Sequence, residues 1–163
     1  MKTVLTEEGH PVDFFQTYLA MILGSVDSDQ YRKLYVRLPD GSLKDVIGDG
    51  DLACAYFVSS ILTLCGLTKD GVHTTVDETI LDLEASKWQR VEIPYIGCVV
   101  VWKKRHCADG QFHRHIGFFV GNDEVVSNQA ISGRPKRHPL IERDVVGEIL
   151  REVEAVYSYP YFE

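Results

Sequence analysis

The stretch "HIGFFVGNDEVVSNQ", residues 115–129, constrains the fold more than any other part of the chain. Two runs rich in β-branched and aromatic residues flank Gly121-Asn122-Asp123, residue types that tolerate positive φ. An antiparallel hairpin with Asn122-Asp123 as its two-residue turn is therefore expected. "GCVVVWKK", residues 97–104, reads as a further buried strand. Upstream the apolar period is helical. Val12, Phe14, Phe15, Tyr18, Leu19, Ile22 and Leu23 predict a helix within residues 11–24. Phe57, Val58, Ile61, Leu62 and Cys65 predict a second over about 52–65. Thr75 to Ala85 predicts a third, capped by Thr74 or Thr75, with Ile80, Leu81 and Leu83 as its apolar positions. Helices followed by antiparallel strands make an α+β fold.

Four segments stay open or read as loops. Residues 28–38 suit a short helix or an extended segment. "LPDGSLKDVIGDGD" and "ISGRPKRHP" carry turn residues and read as loops. Residues 140–162 suit a helix through Ile149 or two more strands.

A length of 163 residues suits one domain, 1–163, with an N-terminal helical region (1–47) and a core (48–163). A hydrophobic content of 45% argues against disorder, and a net charge of -7 argues against a general nucleic-acid binder. The longest apolar run falls far short of the roughly 20 residues that span a bilayer. Glu7, Glu8 and Asp13 interrupt any signal-peptide core in "MKTVLTEEGHPVDFF", so the chain reads as cytoplasmic as synthesised. It is read as a monomer without a cofactor. The cysteines, Cys54, Cys65, Cys98 and Cys107, form no CxxC pair.

Cys54 opens the second helix. With Asp51 as the N-cap it would stand at N3, where unpaired N–H groups and the helix dipole favour a thiolate. A nucleophilic cysteine also needs a base and a group that orients the base. His115, at the mouth of an apolar strand, is the candidate base. With a plain two-residue turn, Gly117 faces Asn128, and Asn128 shares a face with His115. Asn128 is thus the expected orienter; a register one residue longer would substitute Ser127, and His138 is a further candidate. Cys65 reads as a core thiol. Cys98, His106, Cys107, His113 and His115 lie close in sequence, so a zinc site is a rival reading, but a polar loop, "KKRHCADGQFHRH", is the simpler one.

"CAYFVSSIL", "GCVVVW" and "HIGFFVGNDEVVSN" together resemble the NlpC-type cell-wall cysteine peptidases and their CHAP-like relatives. The resemblance covers about residues 48–130 and departs from the family's Asp-Cys-Ser-Gly at Ala53, Ala55 and Tyr56. It implies a papain-like fold, a helix bearing Cys54 packed on an antiparallel sheet bearing His115 and a third polar residue. It also implies an amide hydrolase acting on peptidoglycan stem peptides or the muramoyl–alanine amide; the family's oxyanion-hole tyrosine has no clear counterpart, with Tyr35 as a candidate. A wall substrate would require export or phage- or toxin-type delivery. The alternative function is a non-catalytic binding module on the same fold.

Overall fold

The computed structural model describes residues 4–107 and 110–162. Met1, Lys2 and Thr3 of the N-terminal segment, Ala108 and Asp109 of the 103–115 segment, and Glu163 lie outside the described residues. The fold is α+β. Helix α1 (Phe14–Gly24) is followed by the strands β1 (Tyr35–Arg37) and β2 (Leu43–Asp45), which pair as a small hairpin. Helices α2 (Cys54–Leu64) and α3 (Val76–Ala85) come next. The remaining strands are β3 (Gln89–Val91), β4 (Val99–His106), β5 (Phe112–Gly121), β6 (Glu124–Gln129), β7 (Arg134–Pro139) and β8 (Val153–Ser158). They form one antiparallel sheet in the order β3-β8-β4-β5-β6-β7.

The helices begin where their capping chemistry allows. The Asp13 carboxylate accepts from the Gln16 backbone N–H at 2.9 Å and starts α1. Thr75 caps α3 in the same way, accepting from Glu78 N–H, while its hydroxyl donates to the Glu78 carboxylate. Within α3, Leu83 is buried but Leu81 is exposed, and Thr79 and Asp82 fill the inner face. Asp82 explains that polar choice. Its carboxylate accepts from the backbone N–H groups of Lys69 and Asp70, from the Ser86 hydroxyl and from His73. It thereby ties the α2–α3 connection to α3.

Helix α2 packs on one face of the sheet. Phe57, Val58, Ile61 and Leu62 meet Val99, Val101, Ile116, Phe118, Val126 and Tyr157 in one buried cluster. Tyr18 and Phe57 each stack edge-on against Phe118, and the buried Tyr18 hydroxyl donates to the Gly97 carbonyl. Cys65 is buried among these residues against Met21. The opposite face buries Cys98, Val100, Trp102, Phe119, Val125 and Val156.

Three expectations change. The loop expected at 131–139 contains strand β7. It has no β-branched residue, and its Pro135 pairs with Asn128 at the sheet edge, where a missing N–H is tolerated. The polar 103–115 segment is mostly an extension of the β4–β5 hairpin, pairing Arg105 with His113 and His106 with Phe112. The C-terminal region supplies one strand, β8, which enters between β3 and β4. Among the described residues no helix is long and apolar enough to cross a membrane.

Candidate active site

Sheet register decides which side chains meet. Gly121 pairs with Glu124 across Asn122-Asp123, as the turn residues predict. The ladder then shifts by one residue between Phe119 and Gly121, pairing Phe119 with Val125 and Phe118 with Val126. This bulge overturns the expected register. His115, Gly117 and Phe119 share their face with Val125 and Ser127, not with Val126 and Asn128. Gly117 is required here: a Cβ on it would stand 2.7 Å from both the Ser127 Cβ and the Val126 carbonyl.

His115 Nε2 lies 2.7 Å from the Ser127 hydroxyl, and the same oxygen lies 2.7 Å from His138 Nε2. His138 stands opposite Val125 on β7, on the same face. Its Nδ1 is 2.9 Å from the Pro139 carbonyl and 3.4 Å from the Glu142 carboxylate. Trp102 lies against both imidazoles, with ring centroids 5.4 and 5.8 Å away, and its indole N–H donates to the Leu140 carbonyl.

The proton positions in this chain follow from what each group can do. Both histidines are neutral. Burial, reinforced by the neighbouring Arg151, His138 and Arg105 side chains, brings the His115 imidazole down to about 3. Burial also holds His138 below the ordinary histidine range, against the opposing influence of Glu142 and Pro139. A carbonyl only accepts, so His138 Nδ1 carries the proton and its Nε2 is bare. The Ser127 hydroxyl must then donate to His138 Nε2. Its oxygen accepts from the Gln129 amide at 2.9 Å and from His115 Nε2–H. His115 is therefore the Nε2–H tautomer, and its Nδ1 lone pair is bare.

Cys54 approaches the same strand from the α2 side. The β5–β6 ladder runs from the turn only as far as Phe118–Val126. Just past that point, the backbone N–H groups of Ile116 and Ala55 act to lower the Cys54 thiol. The N-cap of α2 is Ala53 rather than Asp51, so Cys54 is the first helical residue, not the third. Ala53 makes no side-chain cap and leaves the first-turn N–H groups of α2 without one. The expected thiolate-favouring balance is also reversed. Burial pushes the Cys54 thiol up, and the N–H groups of Ile116 and Ala55 and the Arg151 charge only partly offset it. The resting pair is a thiol and a neutral imidazole.

Cys54, His115, Asn128 and His138 all line one cavity of about 580 Å³. Asn128 does not contact His115. Its Nδ2 donates at 2.7 Å to the Gly50 carbonyl, just before α2, and its buried Oδ1 has no hydrogen-bond partner among the described residues. Gly50 has φ 93, and a Cβ there would stand 2.3 Å from the Gly133 carbonyl. Asn128 and this backbone contact thus fix the approach to Cys54. The orienting contact expected of Asn128 belongs to Ser127, backed by His138. Tyr35 is exposed on β1 and does not line the cavity.

No protein-family model matches the chain, and no curated protein matches it either. The site stands on its own geometry.

Of the cysteines and histidines in the zinc reading, His106, Cys107, His113 and His115 line the cavity and Cys98 does not. Cys98 is fully buried in the cluster beneath Trp102, while His106 is exposed near the end of β4. Among the described residues no group of three or more His, Cys, Asp or Glu side chains is arranged to hold a metal ion. Sequence reading missed Trp102, Glu142 and Arg151 as cavity residues. Trp102 read only as strand, and the other two lie in the ambiguous 140–162 segment without a motif around them.

Proposed function

We propose that the protein is a cysteine hydrolase of amide bonds, papain-like in its arrangement of helix and sheet. The observation that carries this reading is the bare Nδ1 of His115, imposed through Ser127 and His138 by the Pro139 carbonyl, in the cavity that Cys54 lines. A neutral base with a fixed tautomer is what a neutral thiol needs.

The Cys54 proton moves to His115 Nδ1 as the sulfur bonds to the substrate carbonyl carbon. Charge develops on the carbonyl oxygen, where uncapped N–H groups of the first turn of α2 receive it. The imidazolium keeps its Nε2–H on Ser127. Its positive charge forms together with the oxyanion, so the buried site gains no net charge, and burial penalises the step less than a lone protonation. His115 then gives the Nδ1 proton to the leaving nitrogen as the C–N bond breaks. Water attacks the thioester, its proton goes to Nδ1, the C–S bond breaks, and the sulfur takes the proton back. The products are a carboxylic acid and an amine.

The substrate class rests on the resemblance of "CAYFVSSIL", "GCVVVW" and "HIGFFVGNDEVVSN" to the NlpC-type and CHAP-like wall peptidases: a stem-peptide bond of peptidoglycan or the muramoyl–alanine amide. Incubation with purified peptidoglycan, followed by mass spectrometry of soluble fragments, tests it. Fragments with a newly exposed amine and carboxylate are expected from the wild type and not from Cys54→Ala. No release by the wild type would overturn the wall substrate.

A further inference from the structure

The molecule is acidic overall, yet two arginines line the cavity in which the candidate nucleophile sits. Arg105, near the end of β4, and Arg151, just before β8, both line the cavity shared by Cys54 and His115. Among the described residues neither is paired with a carboxylate. Cys107, which lines the same cavity, favours the charged form of Arg151. The contrast with Arg114 is informative. Arg114 lines the same cavity but is held by Asp77 and Glu154, and bonds to both. Of the cavity carboxylates, Asp77 is thus engaged, Glu142 faces His138, and Asp51 stands before α2.

Arg151 is only partly exposed, and it faces a like charge. Burial first, and Arg105 second, hold its guanidinium below the ordinary range. Two cations brought together without a counter-charge weaken the fold unless a ligand supplies one. Arginine's planar fork matches a carboxylate, with which it forms strong charge-assisted bonds.

We infer that Arg151, assisted by Arg105, forms a subsite for a substrate carboxylate beside the bond that Cys54 attacks. This rests on the hydrolase reading for its meaning, but the subsite binds an anion whether or not a bond is cleaved. It selects acyl compounds bearing a free carboxylate over their carboxamides.

The test uses Cys54→Ala protein, which cannot turn substrate over, and the pair N-acetyl-L-alanine and N-acetyl-L-alaninamide as probes in an NMR titration. The acid should bind at least about ten-fold more tightly than the amide, the worth of one charge-assisted hydrogen bond. Added salt should weaken the acid alone. Arg151→Gln in the same background should abolish the preference, and Arg105→Gln should reduce it; the second variant keeps the test decisive if the first fails to fold. Equal binding of acid and amide, no binding of the acid, or a preference that survives both substitutions would overturn the subsite. A preference with no amide cleaved by the wild type would leave the subsite standing and remove the hydrolase reading. Cys54-dependent cleavage without the binding preference would do the reverse.

Discussion

His115 Nε2 and the Ser127 hydroxyl lie 2.7 Å apart, and that one contact sets which nitrogen of His115 is free. Ser127 is fully buried, and its oxygen uses its single proton on His138 and its lone pairs on His115 and Gln129. Ser127→Ala leaves both imidazoles without their partner and releases the tautomer. We expect kcat to fall roughly 10- to 100-fold, part of the 10²–10⁴ a positioned base contributes, with KM little changed. Steady-state kinetics beside a denaturation curve checks this; unchanged kcat would remove Ser127 from the relay.

The His115 imidazole, held down to about 3, is unprotonated across the neutral range. Loss of the base on acidification therefore lies well below an ordinary histidine value. The kcat/KM profile should stay level from about pH 7 to about pH 5. An acid limb centred near the ordinary value of about 6.5 would show that His115 titrates as an exposed residue.

Gly117 lets Ser127 come close to β5. Gly117→Ala forces the Ser127 side chain or the Val126 carbonyl to retreat from a 2.7 Å contact. A stability loss of about 1–3 kcal/mol is expected from the overpacking. Activity should fall further than the folded fraction does, because the His115–Ser127 hydrogen bond stretches. Urea unfolding and kinetics on the same preparation separate the two effects.

Asp82 makes the acid sensitivity of the fold testable. Its burial raises the carboxyl, but hydrogen bonds from His73, Lys69, Ser86 and Asp70 outweigh this and hold it below the ordinary value. A lowered folded value means stability that is present above the unfolded carboxyl value of about 3.9 and lost as pH falls through the folded one. Each carboxylate oxygen accepts one backbone N–H, so Asp82→Asn sets a donor against a donor. We expect Asp82→Asn to cost about 2–4 kcal/mol at neutral pH and to shallow the loss of stability in acid. Urea midpoints measured across the acid range check both.

The turn at Asn122-Asp123 was legible because both residues take positive φ, 53° and 56°, as their types allow. The bulge before it was not read, although Gly121 at φ 93 is the residue that commonly makes one. That single residue moved the orienting position from Asn128 to Ser127. Strand β7 was hidden because "RPKRHP" pairs through its backbone and lacks the side chains that signal a strand. The placement of Cys54 at a helix start and of His115 on a strand was legible from residue type and pattern. The Cys54 titration was not, since burial by the surrounding fold outweighs the local backbone.

The central claim is a covalent thioester at Cys54, and a competing nucleophile tests it most directly. Wild-type protein is incubated with muropeptides in the presence and absence of hydroxylamine, and the acyl products are identified by mass spectrometry. Attack of hydroxylamine on a thioester gives a hydroxamate and restores the thiol. A hydroxamate of the acyl fragment is expected at the expense of free acid, with both products missing in Cys54→Ala. Free acid alone from the wild type, or undiminished cleavage by Cys54→Ala, would contradict it.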